Sequence, residues 1–157
     1  AEPTVARQFK PLFAFYFGGD LPVYSPSIIY EGTPAPSRDR DLNGVIFTDI
    51  PWVLGDDNEL RTRATENLSG TRGQPGRLFA MGADAWHLSK RLPLLKQVES
   101  ASISGQTGVL TMTPEGSIHR EQLWAQFRNG APELIPEPVT EEGEMEGAQE
   151  EAPPLSE

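Results

Sequence analysis

Apolar positions recur along this chain with two periods, and each change of period marks a change of element. The longest helical stretch is Gly76–Leu92. There Leu78, Met81, Ala85, Leu88 and Leu92 recur at steps of 3, 4, 3 and 4, with Phe79, Ala83 and Trp86 widening the apolar face. The stripe predicts a helix with that face in the core, ended or kinked at Pro93. Gly82 costs about 1 kcal/mol relative to Ala inside a helix. Its expected purpose, with Ala83 and Ala85 beside it, is close packing of a smooth helix side on a sheet. Gly82→Leu is therefore expected to destabilise by overpacking.

Elsewhere the periods are shorter. Val5, Phe9 and Leu12–Phe13 are roughly helically spaced, but Pro11 weakens the middle, so residues 5–17 mix helical and strand character. Gly18-Gly19-Asp20 is a turn. Pro22–Ser25 reads as a short strand, followed by a helix start at Ser25 or Ser27 with Pro26 in the first turn. Glu31–Asp41 reads as a loop rich in proline and charge. Val45–Thr48 is a short buried strand, and Pro51 ends its run. Asp56 or Asp57 can cap a helix to about Leu68, and Ser69–Pro75 is a loop. Thr107–Met112 alternates as a strand, Thr113–Gly116 turns, Ser117–Arg120 pairs back, and Leu123–Phe127 is a third strand before the turn Asn129-Gly130.

Charge changes the picture at one end only. The net charge of −10 is concentrated from Glu133 to Glu157, where nine acids meet no Lys or Arg. Residues 1–132 carry fourteen acids against thirteen bases, a net of −1. The expected organisation is one α/β domain over 1–132 and a disordered acidic tail over 133–157. No basic stripe is present to neutralise phosphates, so no nucleic-acid partner is expected. The chain lacks Cys, which excludes disulfides and thiolate chemistry. No apolar run approaches 18 residues, and the abrupt opening without Met suggests a processed piece with any targeting signal upstream.

Little of this looks catalytic. His87 and His119 are the two histidines, and surface or packing roles are expected for both, with no metal or cofactor. There is no G-x-S-x-G elbow. Ser104-Gly105-Gln106-Thr107-Gly108 has no following Lys and reads as a tight turn into a strand. The candidate ligand or partner cleft comprises Tyr24, Ser25 and Ser27 at one strand end and Asp49 and Trp52 at another, since residues just past strand ends face the crevice in α/β sheets. The competing roles are N-capping for the serines, capping of the next turn for Asp49, and simple core packing for Trp52.

Gly18–Tyr24 (GGDLPVY), Asp39–Trp52 (DRDLNGVIFTDIPW), Leu78–Ala85 (LFAMGADA) and Gly105–Leu110 (GQTGVL) together resemble the LppC/LpoA family, over about Ala6 to Phe127. The resemblance implies the C-terminal part of a domain similar to type I periplasmic-binding proteins, with a parallel sheet flanked by helices and a terminal antiparallel hairpin. It further implies a non-enzymatic lipoprotein of the periplasm, held to the outer membrane by a lipid anchor upstream of this chain. Such a protein activates a class A penicillin-binding protein by direct contact and so regulates peptidoglycan synthesis. The alternative is a small-molecule sensor or receptor of the periplasmic-binding type.

Overall fold

The structure is a computed structural model that describes residues 2–56 and 58–136. Helix α1 (Pro3–Phe15) leads by a turn to β1 (Val23–Ser25) and a 3-10 turn at Ser27–Ile29. Helix α2 (Pro36–Asp39) and a second 3-10 turn (Arg40–Leu42) precede β2 (Val45–Asp49). Three helices follow, α3 (Pro51–Leu54), α4 (Glu59–Asn67) and α5 (Gly73–Gln97). The chain ends in strands: β3 (Ser102–Ser104), β4 (Val109–Met112), β5 (Ile118–Glu121), β6 (Leu123–Arg128) and β7 (Ala131–Ile135).

The strands form two sheets. The larger has the order β1-β2-β6-β7, with β1 parallel to β2 and both other pairings antiparallel. The smaller is the meander β3-β4-β5. The predicted third strand thus does form, but it leaves its hairpin. Only Gln122 separates β5 from β6, and the chain changes sheet there. The cause lies in β6 itself, whose Ala125 and Phe127 are buried in the core of the larger sheet.

That core centres on three rings. Tyr30, Phe47 and Phe127 lie with centroids 5.0 to 5.9 Å apart, and Ala6 of α1, Ile29, Leu42 and Val45 close around them. A second cluster gathers Ile50, Trp52, Ala64 and Ala80, which fixes α3, α4 and α5 to one another. A third joins Leu95 to Ile103 and Leu110, so the end of α5 sits on the small sheet.

Several local expectations are corrected. Pro11 does not interrupt α1, because an interior proline removes one backbone bond and Ala6 and its neighbours still dock on the sheet. The span 31–41 contains α2 and a 3-10 turn, organised by Arg7. Its Nε donates to buried Asp39 at 2.9 Å, and its Nη2 reaches Asp39 and Glu31 at 2.6 and 3.1 Å. Helix α4 is capped by Asn58, whose Oδ1 accepts from the Arg61 amide at 2.9 Å, in place of Asp56; Asp57 lies outside the described residues. Helix α5 starts three residues early and passes through Pro93 to Gln97, because Leu95 still has a core to enter.

The largest correction concerns the face of α5. Its buried positions are Gly76, Ala80, Asp84 and Leu95, while Leu78 is 67% exposed and Met81 53% exposed. Gly82 has no atom within 4 Å of where a side chain would start; the packed glycine is Gly76, where a methyl would collide with the Thr71 carbonyl. The apolar stripe read from the periodicity is real, but within this chain the helix packs on a neighbouring side made of its smallest residues.

At the far end, Asn129 and Gly130 both have positive φ (52° and 76°), the backbone of a two-residue hairpin turn that matches strand twist. The Gly130 amide donates to Asn43 Oδ1 at 2.8 Å, and a side chain at Gly130 would strike the Pro36 carbonyl. Glu133, Leu134 and Ile135, placed with the acidic tail on charge, are strand residues paired with β6. The rest of that expected tail, 137–157, lies outside the described residues.

Candidate functional site

The parallel pairing of β1 with β2 brings their carboxyl ends to one edge, with Ser25 beside Phe47 and Asp49 two residues further on. Strand β2 buries Val45, Phe47 and Asp49 on one side, so its inward row ends in a carboxylate. Asp49 is fully buried, and Arg77 of α5 meets it. Arg77 Nε donates to Asp49 Oδ1 at 3.0 Å and its Nη2 to Oδ2. Asp49 Oδ1 also accepts from the Ile50 amide at 2.8 Å. Arg77 Nη2 donates in addition to the Tyr30 carbonyl at 3.0 Å, while Nη1 is buried with no partner among the described residues. The bidentate pair therefore bolts the first turns of α5 to the end of β2. Burial, reinforced by the Asp39 and Asp49 carboxylates, pushes the Tyr30 hydroxyl up to about 12.

A second carboxylate does similar work halfway along α5. Asp84 Oδ1 accepts from the Gln106 amide at 2.7 Å, and Oδ2 accepts from the Thr107 amide at 2.7 Å and the Thr107 hydroxyl at 2.6 Å. Gly105 is obligatory there, since a methyl would lie 2.6 Å from an Asp84 oxygen. The Gln106 carbonyl in turn accepts from the Trp52 amide at 2.9 Å, and Gln106 Oε1 from Asn58 Nδ2 at 2.9 Å. The tight turn read at 104–108 is present, and its function in the fold is to join α3, α4 and α5.

Trp52 is buried against Phe79, with ring centroids 5.2 Å apart, and its Nε1 donates to the Thr71 carbonyl at 2.9 Å. It also forms part of the wall of a cavity of about 370 Å³ between the loop at Gly32 and helices α4 and α5. Thr62, Thr65, Arg72 and Glu66 make that cavity polar. Tyr24 and Ser25 lie elsewhere, in a groove of about 210 Å³ between α1 and β1. Tyr24 is exposed and meets Trp124 edge-on at 6.3 Å. The Ser25 hydroxyl donates to the Pro26 carbonyl at 3.2 Å, and no side chain caps the turn at Ser27, which removes the expected serine cap. Ser27 and Asp49 line neither space. Of the five candidates, Tyr24 and Ser25 share one groove, Trp52 walls another cavity, Asp49 is held in a buried ion pair, and Ser27 lies in none of these.

Arg77 and Asp84 were missed as organising residues. A signal existed for Asp84: a lone acid inside FAMGADAW must find donors if the helix is buried. Arg77 had none, because its partner lies 28 residues away. Both histidines are exposed, His87 on α5 and His119 on β5. Among the described residues no group of His, Cys, Asp or Glu could hold a metal ion.

A family model described as "LppC putative lipoprotein" matches residues 1–130. "Penicillin-binding protein activator LpoA" of Escherichia coli (strain K12) is 30% identical over 132 residues, which is 83% of this chain and 19% of that protein. The chain thus spans about a fifth of the length of the curated relatives it matches. Among solved structures, the "LpoA (YraM) C-domain from Haemophilus influenzae, a regulator of PBP1A" superimposes with a TM-score of 0.72 at 29% identity, covering 86% of this chain and 42% of that one. A structure from Chromobacterium violaceum, described as a "putative branched-chain amino acid ABC transporter", gives a TM-score of 0.60 at 25% identity over 80% of this chain and 40% of that one. The mixed α/β architecture is therefore the one shared by the LpoA C-domain and a periplasmic-binding-like transport protein. With the family model spanning most of its length, the chain belongs to the LppC lipoprotein family.

Proposed function

We propose that this chain is the regulatory, non-catalytic part of a penicillin-binding protein activator, acting by direct contact with a class A synthase. The observation that carries the reading is the match over residues 1–130 to a family whose curated relatives are named as such activators. The chemistry of the interior supports it. Asp49 and Asp84, the buried carboxylates nearest the strand ends, spend their lone pairs on Arg77 and on the 105–108 loop, which leaves neither poised for proton transfer. The mechanism is then differential binding to the active state of the synthase, which shifts its population. The protein works in the periplasm, tethered at the outer membrane through a lipid anchor outside this chain. Among the described residues no helix is long and apolar enough to cross a membrane.

The test is binding of this chain to purified class A penicillin-binding proteins, with glycan polymerisation and cross-linking followed in parallel. Binding with stimulation is expected. A folded chain that neither binds nor stimulates any of them would sink the reading.

A second reading, a small-molecule receptor, is favoured by the likeness to the transport protein and by the polar cavity beside Trp52. It requires a ligand-dependent rise in melting temperature with amino acids or cell-wall peptides, and a flat response across such a panel removes it.

A further inference from the structure

Two of the four asparagines in the chain precede glycine, at Asn43-Gly44 and Asn129-Gly130. Such a pair has a reaction of its own, because glycine carries no side chain to shield its nitrogen from the preceding side-chain amide. The glycine nitrogen bonds to the asparagine Cγ, the Cγ–Nδ2 bond breaks, and the proton of that nitrogen leaves with the departing ammonia. Water then opens the succinimide at either carbonyl, to aspartate or to isoaspartate. An N–H held in a hydrogen bond gives up its proton less readily, so the partner of each glycine nitrogen sets its reactivity.

The fold brings the two pairs together. The Gly44 amide donates to the Phe127 carbonyl at 2.9 Å, and the Gly130 amide to Asn43 Oδ1 at 2.8 Å. The second bond also commits the Asn43 side chain to Gly130 in place of Gly44. The two locks differ in kind. Phe127 is buried and paired within the large sheet, so its carbonyl is fixed by the backbone. Asn43 is an exposed residue whose side chain can rotate away, and Asn129 is exposed as well. We propose that Asn129 is a latent modification site, converted to isoaspartate or aspartate when Asn43 ceases to hold the Gly130 amide. The consequence is structural. Isoaspartate adds a carbon to the backbone of a two-residue turn whose φ angles are 52° and 76°. Gly130 already packs so closely that a side chain there would strike the Pro36 carbonyl. A lengthened turn loses the geometry that matches strand twist, and β7 loses its register with β6. The proposal neither rests on the activator reading nor bears on it.

The test incubates the full chain in mildly alkaline buffer and follows conversion at each asparagine by peptide mass mapping. The natural sequence is expected to convert Asn129 far more slowly than the same chain unfolded in urea. Asn43→Ala removes the acceptor and should raise the Asn129 rate roughly tenfold, the equivalent of one hydrogen bond. Asn43→Asp keeps an acceptor and should stay near the natural rate. Gly76→Ala strains the fold elsewhere, against the Thr71 carbonyl, and should leave Asn129 slow, which separates release of this one bond from general unfolding. Hydrogen exchange of the Gly130 amide in the natural chain reads the bond without any substitution, and slow exchange is expected. An Asn129 rate in the natural chain equal to that in urea, an Asn43→Ala rate no faster than natural, equal acceleration by Asn43→Asp or Gly76→Ala, or exchange of the Gly130 amide at the unprotected rate would each overturn the proposal.

Discussion

Arg77 and Asp49 stand in an unforgiving position, because each is a charge taken out of water on the strength of the other. Arg77→Met leaves a carboxylate buried with one amide donor, and a loss of about 3–5 kcal/mol is expected from the urea midpoint. The double variant Asp49→Leu/Arg77→Met should lose clearly less than Arg77→Met alone, since no charge then remains buried. Equal losses would mean that the pair contributes only its packing. Tyr30, whose carbonyl Arg77 also holds, brings a pH dependence. Its hydroxyl is raised from 10.0 to about 12. The folded state keeps a proton that the unfolded state surrenders, so this contribution is intact below pH 10 and is lost as pH rises towards about 12. Tyr30→Phe should flatten the decline of the urea midpoint across that window. Parallel declines in the two proteins would assign the alkaline sensitivity to other groups.

At the scale of elements, α5 inverts a rule that serves most surface helices. Periodicity identifies an apolar stripe but not which layer it faces, and here the in-chain contacts fall on Gly76, Ala80 and Asp84. Two substitutions separate the two sides. Gly76→Ala drives a methyl into the Thr71 carbonyl and should cost about 1–3 kcal/mol. Gly82→Ala meets open space and improves helix propensity, so a gain of up to about 1 kcal/mol is expected. Thermal melts of both variants check the assignment, and opposite outcomes would mean that the buried side of α5 is misplaced.

At the scale of the whole molecule, the described residues form two sheets with separate clusters of buried residues, joined through several links. Helix α5 runs from one to the other, Gln122 joins β5 to β6, and the 105–108 loop binds α3, α4 and α5 through Asp84. Asp84→Ala removes the acceptor of three bonds and leaves the buried Thr107 amide and the half-buried Gln106 amide unsatisfied, for a loss of about 2–3 kcal/mol. The small sheet should then exchange its amide hydrogens before the large one. Uniform acceleration of exchange over both sheets would show that a single cooperative unit has merely been weakened.

Much of this was legible in the order of residues. A short buried run gave β2, alternation gave β4 and β6, Asn129-Gly130 gave a turn but not the strand after it, the 3-4-3-4 repeat gave α5, and four short segments carried the family. These are local properties: they depend on side-chain period, turn stereochemistry and identity at adjacent positions, all of which a linear string contains. Beyond its reach lay the sheet that β6 joins, the salt bridge between Asp49 and Arg77, the loop that Asp84 gathers, and the side of α5 that is buried. Each of these pairs groups distant along the chain, and which partner wins depends on which buried charge finds donors and which small residues permit close approach. Only folding brings those competitors within reach of one another.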